Sequence, residues 1–573
     1  MLPILAVALP VLAALLAALA LVVPLLAGVV VRLVRPMTLA LGFAAAVAMW
    51  AAGYVAMMAP GLLVGEVLFA ICILCVPAVA FIAGRRRDPG TNGVQIGAVA
   101  AFVNLLVVGS LFGGGPRVGV EVLRHGAPVK APLFLPGAST DASQDGAVLG
   151  MVLDAPGADG GAVVTEVRPG SPAHDAGLER GDVLIRVDGR PGATVAALSE
   201  AISREQGRRR SLAGEGAAWV SGLFGVCLFL GAVGFRMGRS RPVSAPLPDP
   251  VSLFAAVTAG AILLLLITGG LVTGMEAGLA VPDWPNSFGH NMLLYPLSEM
   301  KGGIYWEHAH RLFGMLVGLC AAVLLALSWR RGGGVRWLAL ALYAMVVAQG
   351  VMGGLRVTGF LSLASQREAL SPNLTLAIVH GVFGQLVFGG AALVAAASST
   401  TWRGSTRAVS TAVGPSLLRW TPVLVACVVL QLILGACERH LQVPGTEDAP
   451  ARHPAWALHP HIALAFGILG LALFTGLRAK SLAGEGLPVL PRLGRLIHAL
   501  VGLQILLGGL ALVAVIVRRS PVVPTWEVAA TSAHQAVGAM VLGVSVLLAA
   551  WSMRLLSRAG GTRAAITPPA SPA

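Results

Sequence analysis

Long apolar runs dominate this 573-residue chain, and a run of about 20 residues is long enough to cross a bilayer as a helix. The runs predict helices over residues 2–31, 37–60, 62–83 and 94–112, within a membrane region 1–112, one over 217–236, and eight more over 251–271, 310–329, 337–355, 374–397, 418–436, 462–477, 496–517 and 533–555. Residues 113–216 differ, because they carry charges, glycine and proline without a spanning run. The pattern predicts an all-α polytopic membrane protein with one small soluble domain.

The composition supports this fold class. With 56% hydrophobic and 12% charged residues and a mean hydropathy of +0.82, the chain is too apolar for an ordinary soluble protein. Its net charge of +14 lies mostly in arginine clusters between apolar runs, which mark the cytoplasmic side of a membrane. Clusters such as Arg85–Arg87 and Arg236–Arg241 then place residues 113–216 outside the cytoplasm. We expect membrane lipid, and no nucleic acid, around this chain.

Residues 113–216 contain a small pattern of predicted strands and helices. The strands fall at 161–167 and 182–189, a short helix at 172–178 and a longer helix at 194–206. This order, with Gly177–Asp182 before the second strand, resembles a PDZ domain over about residues 146–208. A PDZ domain binds an extended peptide or a protein C-terminus by strand addition. The chain carries neither a His-Glu-x-x-His nor a Gly-x-Ser-x-Gly motif that would indicate a protease.

Three landmarks recur along the second part of the chain at nearly constant offsets. His308-Ala-His310 returns as His459-Pro-His461, Gln349–Gly354 as Gln504–Gly509, and His380 as His534. Landmarks that return in one order indicate an internal duplication. The chain therefore contains two four-helix halves, 251–397 and 418–556, followed by a predicted disordered tail at 557–573.

The repeated histidines predict a ligand set. Each half supplies two imidazoles from facing helices near one end of the bundle, which suits axial ligation of a haem iron. Zinc is disfavoured, since each half lacks a third His, Cys or nearby carboxylate. Residues two apart do not share a helix face, so only one of His308 and His310, and one of His459 and His461, reaches the iron. The six cysteines indicate packing and no chemistry.

A motif in the first outer loop gives the second half of the chain a family resemblance. The string Gly270–Pro285, which ends in Pro-Asp-Trp-Pro, and the following Glu307-His-Ala-His-Arg311 resemble the heme A synthase family over about residues 251–556. The resemblance implies a haem b cofactor and the oxidation of the C8 methyl of haem O to a formyl, for cytochrome oxidase biogenesis. It also implies the bacterial cytoplasmic membrane as the location.

The resemblance assigns roles residue by residue. Glu307 matches the family's catalytic glutamate, and His310 and His380 match the ligands of the substrate haem; by the repeat, His461 and His534 match the ligands of the cofactor haem b. Val281 and Ser287 stand where many members carry a cysteine pair. Leu458 occupies the position of Glu307 in the second half, so the sequence predicts an acid beside the histidines in the first half alone.

Two other functions are compatible with these residues. A dihaem b-type electron carrier needs the same four histidines, although it has no use for Glu307. An oxidase assembly factor that holds a partner through its PDZ domain is the second alternative. The partners implied are haem O synthase or cytochrome oxidase subunits.

Overall fold

The computed structural model describes most of the chain. The described residues are 22–58, 63–86, 90–112, 117–124, 126–134, 151–154, 162–167, 173, 178–191, 195–245, 247–281, 283–288, 290–295, 300, 302–358, 374–405, 409–442, 453–518 and 523–557. The predicted tail at 557–573, except for Ser557, and the first part of the predicted helix 2–31 lie outside these ranges. Within them the fold is helical with a small six-stranded antiparallel sheet, as the sequence predicts, and a second, two-stranded antiparallel sheet pairs Asn286–Ser287 with His290–Asn291.

The chain begins with a group of apolar helices. These are α1 (Val22–Leu33), α2 (Pro36–Met58), α3 (Leu63–Arg85) and α4 (Gly93–Phe112). A buried cluster of Leu41, Ala80, Ala83 and Ile96 joins α2, α3 and α4. Helices that are apolar on every side belong in lipid or in a protein core, which agrees with the predicted membrane region.

The small domain is built on one sheet. Its strands are β1 (Arg117–Arg124), β2 (Ala127–Phe134), β3 (Met151–Asp154), β4 (Ala162–Val167), β5 (Val183–Val187) and β6 (Arg190–Pro191), in the order β2-β1-β5-β4-β3 with β6 on β5. Val118, Val120 and Val122 alternate along β1 and are buried, as expected for a strand with one face on a core. Arg124 joins the sheet to the turn before β5, with its guanidinium 2.8 and 2.7 Å from the two carboxylate oxygens of buried Asp182.

The predicted strands of this domain are confirmed as β4 and β5, and the predicted short helix 172–178 lies largely outside the described residues. The hairpin β1–β2 was not predicted. The predicted helices 194–206 and 217–235 are one helix, α5 (Val195–Arg239), of 45 residues. The prediction of two separate helices was wrong because it divided the chain where the hydropathy falls. The polar residues between the two runs include no proline, so nothing there ends the helix.

The far end of α5 packs closely on α3 and α4. A Cβ on Gly231 would lie 2.2 Å from the backbone oxygen of Gly93, and one on Gly234 would lie 2.3 Å from that of Pro77. These contacts leave no space for a side chain. Small residues allow such close approach between membrane helices.

Eight helices form the duplicated unit. The first half has α6 (Pro250–Gly274), α7 (Gly303–Arg331), α8 (Val335–Thr358) and α9 (Leu374–Ser398); after the short α10 (Thr400–Gly404), the second half has α11 (Gly414–Leu441), α12 (Ala455–Lys480), α13 (Val489–Val517) and α14 (Thr525–Leu555). All eight were predicted, although α7, α12, α13 and α14 begin seven or eight residues earlier than hydropathy indicated. The described residues contain ten helices long and apolar enough to cross a membrane. The chain is a multi-pass membrane protein.

The two halves pack against each other through glycines. A Cβ on Gly543 of α14 would lie 2.8 Å from the ring of Phe388 in α9, and one on Gly274 of α6 would lie 2.7 Å from Val528 in α14. Helices α7 and α14 are more buried than the other candidate spans. These two helices carry His310 and His534, whereas His380 and His461 lie on the less buried α9 and α12.

The opposite end of the unit is tied together by Asp249. Its carboxylate caps α6 by accepting from the backbone N–H groups of Val251 and Ser252 at 3.0 and 3.1 Å. It also accepts from Arg331 at the end of α7 and from Arg403 in α10. Partial burial alone would raise the pKa of Asp249, but the hydrogen bonds from Arg331 and Ser252 lower it below its ordinary value.

Candidate functional site

The four predicted ligands lie inside helices and near the same end of the unit. His310 in α7, His380 in α9, His461 in α12 and His534 in α14 stand six to nine residues after the first residue of their helices. At a rise of 1.5 Å per residue, this corresponds to about 9 to 14 Å along each helix. Their depths are similar, as the repeat predicts.

His461 and His534 face each other in the second half. Their ring centroids lie 6.3 Å apart, with the ring planes at 72°. Two metal–nitrogen bonds of about 2 Å, added to the two ring radii, give about 6 Å between centroids. The spacing therefore fits a single iron atom between the two imidazoles.

Hydrogen bonds orient both of these rings. The Nδ1 of His461 lies 3.1 Å from the backbone oxygen of Gln431, which can only accept, so Nδ1 carries the proton and Nε2 keeps a lone pair. The amide nitrogen of Gln504, a donor, lies 3.3 Å from Nε2 of His534. Nε2 of His461 thus keeps a lone pair for a metal, whereas the lone pair on Nε2 of His534 accepts from Gln504, a hydrogen bond that a metal at this atom would replace.

Each of the four imidazoles packs on a glycine of the preceding helix. In the first half, a Cβ on Gly269 would lie 3.0 Å from Cε1 of His310, and one on Gly353 would lie 3.3 Å from Cε1 of His380. In the second half, a Cβ on Gly435 would lie 2.8 Å from Cε1 of His461, and one on Gly508 would lie 2.9 Å from Cε1 of His534. Contacts this short leave no room for even a methyl group unless the ring moves. The glycines therefore set the ring positions, a role that was not predicted from the sequence.

Three glutamines stand four residues before three of these glycines, on the same helix face. The amide nitrogen of Gln349 donates to the backbone oxygen of His380 at 2.8 Å, and that of Gln431 donates to His461 at 2.9 Å. Gln504 is the third. The pattern Gln-x-x-x-Gly at 349–353 and 504–508 belongs to the repeat found in the sequence, and it also occurs at 431–435.

The first half repeats the contact of each ring with a glycine and differs in the group that faces Nδ1 of the ring on its second helix. Leu265 replaces the glutamine in α6, and the hydroxyl of Thr268 lies 3.1 Å from Nδ1 of His310.

The structure separates the two members of each His-x-His pair. His308 is fully buried, with its Nδ1 3.0 Å from the hydroxyl of Ser287 and its ring 4.9 Å from that of Tyr295. His310 instead packs on Gly269. In the second half His459 is exposed, whereas His461 faces His534.

Glu307 is buried, with 5% of its surface exposed, and lies three residues before His310 in α7. Residues three apart are neighbours on a helix surface, so the carboxylate and the imidazole share one face. A carboxylate in this place can accept or return a proton, or stabilise a nearby positive charge.

The second half also contains a buried acid that was not predicted, although Leu458, at the position equivalent to Glu307, is apolar as the repeat indicates. Glu527 is 1% exposed and lies seven residues before His534, about two helical turns away. Its carboxylate is 3.5 Å from the guanidinium of Arg518. The repeat did not reveal it because it lies on the fourth helix of its half, whereas Glu307 lies on the second.

Residues 252–555, more than half of the chain, match the profile of the COX15-CtaA family, described as cytochrome oxidase assembly protein. The chain belongs to this family. Residues 163–213 match a PDZ domain. Both resemblances drawn from the sequence motifs are confirmed.

Several heme A synthases are similar to the chain. That of Methylobacterium sp. (strain 4-46) is 32% identical over 28% of this chain and 49% of the relative, and that of Azorhizobium caulinodans is 30% identical over 24% and 42%. The heme A synthase of Beijerinckia indica subsp. indica is 26% identical over 50% of this chain and 88% of its own length. The chain thus spans about half of the first two relatives and most of the third.

Proposed function

We propose that the chain is a heme A synthase that oxidises the C8 methyl of haem O to the formyl of haem A. The observation that carries the proposal is the 6.3 Å spacing of His461 and His534, two rings that pack on glycines within the region of the family match. The same contacts with glycine recur at His310 and His380. A bound haem pair would supply the redox chemistry, and the chain supplies ligands, orientation and proton handling.

In this proposal the second half holds the cofactor, haem b, between His461 and His534. Gly435 and Gly508 fix the two rings, and the side-chain amide of Gln431 in α11 donates to the backbone oxygen of His461 in α12. Locked neighbours of this kind keep ligands at their working geometry. The first half holds the substrate porphyrin between His310 and His380 by the same construction.

Glu307 is the catalytic residue of the proposal. It lies one turn from His310, so its carboxylate is near the periphery of a porphyrin bound through that ring. There it can stabilise positive charge developing on the substituent and take up the protons released. A dihaem electron carrier would not require this carboxylate.

The PDZ domain has a separate role in the proposal. It binds a protein C-terminus or an extended peptide, from haem O synthase or a cytochrome oxidase subunit, outside the bacterial cytoplasmic membrane. This topology is supported by four arginines that lie at the end of the eight-helix unit opposite the histidines: Arg330, Arg331, Arg403 and Arg554. That end is the cytoplasmic one by the positive-inside rule.

The test is conversion of haem O by the full chain. The parent expressed with a source of haem O should yield haem A, identified by mass after extraction. Glu307→Gln keeps the size of the side chain and removes its charge, so it should lose about 10²-fold or more of the conversion and retain haem b.

Glu527→Gln is the matched control, since it neutralises the buried acid of the other half, and it should still convert haem O. If the parent holds two haems and converts neither, the electron carrier is the correct function. If Glu307→Gln converts like the parent, Glu307 only stabilises the start of α7, a contribution of about 0.3 to 1 kcal/mol.

A further inference from the structure

The side chain of Thr268 reveals how His310 is oriented. Thr268 lies in α6 directly before Gly269 and is 2% exposed. Its hydroxyl donates to the backbone oxygen of Leu265 at 2.9 Å and lies 3.1 Å from Nδ1 of His310. A hydroxyl has a single hydrogen. Since that hydrogen is used on Leu265, the hydroxyl oxygen must accept from the imidazole.

The direction of this bond determines the tautomer. If the hydroxyl accepts, Nδ1 of His310 carries the proton, and Nε2 keeps the lone pair that a metal requires. The opposite tautomer would leave a hydrogen on Nε2 and block ligation. The hydroxyl is also polarised by its own bond to Leu265, which strengthens it as an acceptor.

The second half reaches the same tautomer through a backbone acceptor alone. His461 donates from Nδ1 to the backbone oxygen of Gln431, and the residue equivalent to Thr268 is Leu434, directly before Gly435. Leucine cannot accept a hydrogen bond. In the first half the backbone of Leu265, the residue equivalent to Gln431, also faces the His310 ring, and the hydroxyl of Thr268 is an additional acceptor that can be replaced.

The histidines of the fourth helices lack this anchor. Within the part of the chain that the structure describes, Nδ1 of His380 and Nδ1 of His534 have no hydrogen-bond partner. In each half, the imidazole on the second helix is therefore hydrogen-bonded through Nδ1, whereas the imidazole on the fourth helix is not. In the first half the anchor is Thr268.

We infer that Thr268 is a positioning residue that holds His310 in the Nδ1–H tautomer and makes it the firm ligand of the iron in the substrate haem. This rests on the proposed function, because it takes His310 as an iron ligand. Bonds from outer groups to ligating histidines fix the ring and raise its basicity, and their loss typically lowers metal affinity about 10- to 100-fold. We expect a loss of this size for the first half alone.

The experiment uses the full chain with haem b bound and titrates it with haem O. Thr268→Val removes the hydroxyl with little change in shape, and Thr268→Ser keeps it. The valine variant should bind haem O about 10- to 100-fold more weakly, with less low-spin signal and a higher midpoint potential for that haem. The serine variant should resemble the parent. Leu434→Val, the equivalent apolar change in the second half, should leave haem O binding unchanged.

The unaltered spectrum of haem b in the same molecule shows that the valine variant is folded. The inference is overturned if Thr268→Val binds haem O with the parent's affinity, spectrum and potential, or if Leu434→Val weakens haem O binding equally. A parent that takes up no haem O in its first half contradicts the proposed function instead. The two failures are therefore distinguishable.

Discussion

At the scale of single residues, each candidate ligand is an imidazole that lies against a glycine, so a change at the glycine acts on the ring first. Gly508 is the clearest example, because a Cβ there would lie 2.9 Å from Cε1 of His534. Gly509, the next residue, has no atom within 4 Å of the same position. The two glycines share one helix and differ only in what they face.

We predict that Gly508→Ala displaces the His534 ring and weakens haem b binding by about tenfold. Gly509→Ala should leave haem b binding unchanged and stabilise α13 by about 0.5 to 1 kcal/mol, since alanine favours a helix more than glycine does. The haem content of the purified proteins and their bis-imidazole spectra measure this. Equal haem content in both variants would show that the contact has no effect.

A second prediction separates the two histidines at the start of α12. His461→Ala should abolish low-spin haem b, because His461 faces His534 at 6.3 Å, whereas the exposed His459 makes no such contact. His459→Ala should retain the full spectrum. The reverse result, with haem lost only from His459→Ala, would assign the ligand to His459.

The repeat in the sequence was sufficient to find the four histidines, because a rare polar residue in an apolar helix stands out when it recurs. Glycine does not stand out among 72 in the chain, so Gly269 and Gly435 were missed. Thr268 and Glu527 were missed for another reason. Each acts through a contact with a distant residue, and neither has an equivalent in the other half.

At the scale of helices and strands, a helix cap and two ion pairs hold three helices together at the end of the unit opposite the histidines. Asp249 caps α6 and accepts from arginines of α7 and α10. Its side chain is 13% exposed, so these bonds are only partly screened by water. One carboxylate therefore connects three helices.

We predict that Asp249→Ala lowers the melting temperature of the purified protein more than Asp249→Asn does. Asparagine keeps the cap, which is worth about 1 kcal/mol, and both variants lose the charge that pairs with Arg331 and Arg403. The folded protein lowers the pKa of Asp249, so the charge stabilises it at neutral pH. This contribution is lost as the pH falls below about 4 and through the lowered pKa. An advantage of the parent over Asp249→Asn that persists unchanged to the lowest pH would contradict the role of the charge.

Hydropathy identified every helix of the duplicated unit and misplaced several of their starts. Glu307 and His308 lie inside α7, although a polar residue weakens the apolar signal there. The continuity of α5 was missed because hydropathy measures burial in lipid and not helix formation. The hairpin β1–β2 was missed although Val118, Val120 and Val122 alternate with other residues in the sequence. Its two eight-residue strands give a weaker signal than the long apolar helix that precedes them.

At the scale of the whole molecule, the chain contains two regions that match different families. The family match covers residues 252–555 and the PDZ match covers 163–213. All four candidate ligands and Glu307 fall in the first of these regions. The small domain has its own buried core, which includes Met151, Leu184 and Leu198.

We therefore predict that the small domain is dispensable for the haem chemistry and required for binding a protein partner. Strand β1 pairs with β5, and Leu198 and Ile202 of α5 are buried in the domain core, so the deletion must remove residues 117–204 as a unit. A Gly/Ser linker should replace them. The variant should keep the parent's haem b content and its conversion of haem O to haem A, while the amount of cytochrome oxidase subunits or haem O synthase that copurifies with it should fall. The matched variant Asp182→Ala removes the carboxylate paired with Arg124 and should show the same loss of partner through an unfolded domain. A deletion variant that is folded, contains haem b and yet converts no haem O would show that the domain takes part in the reaction.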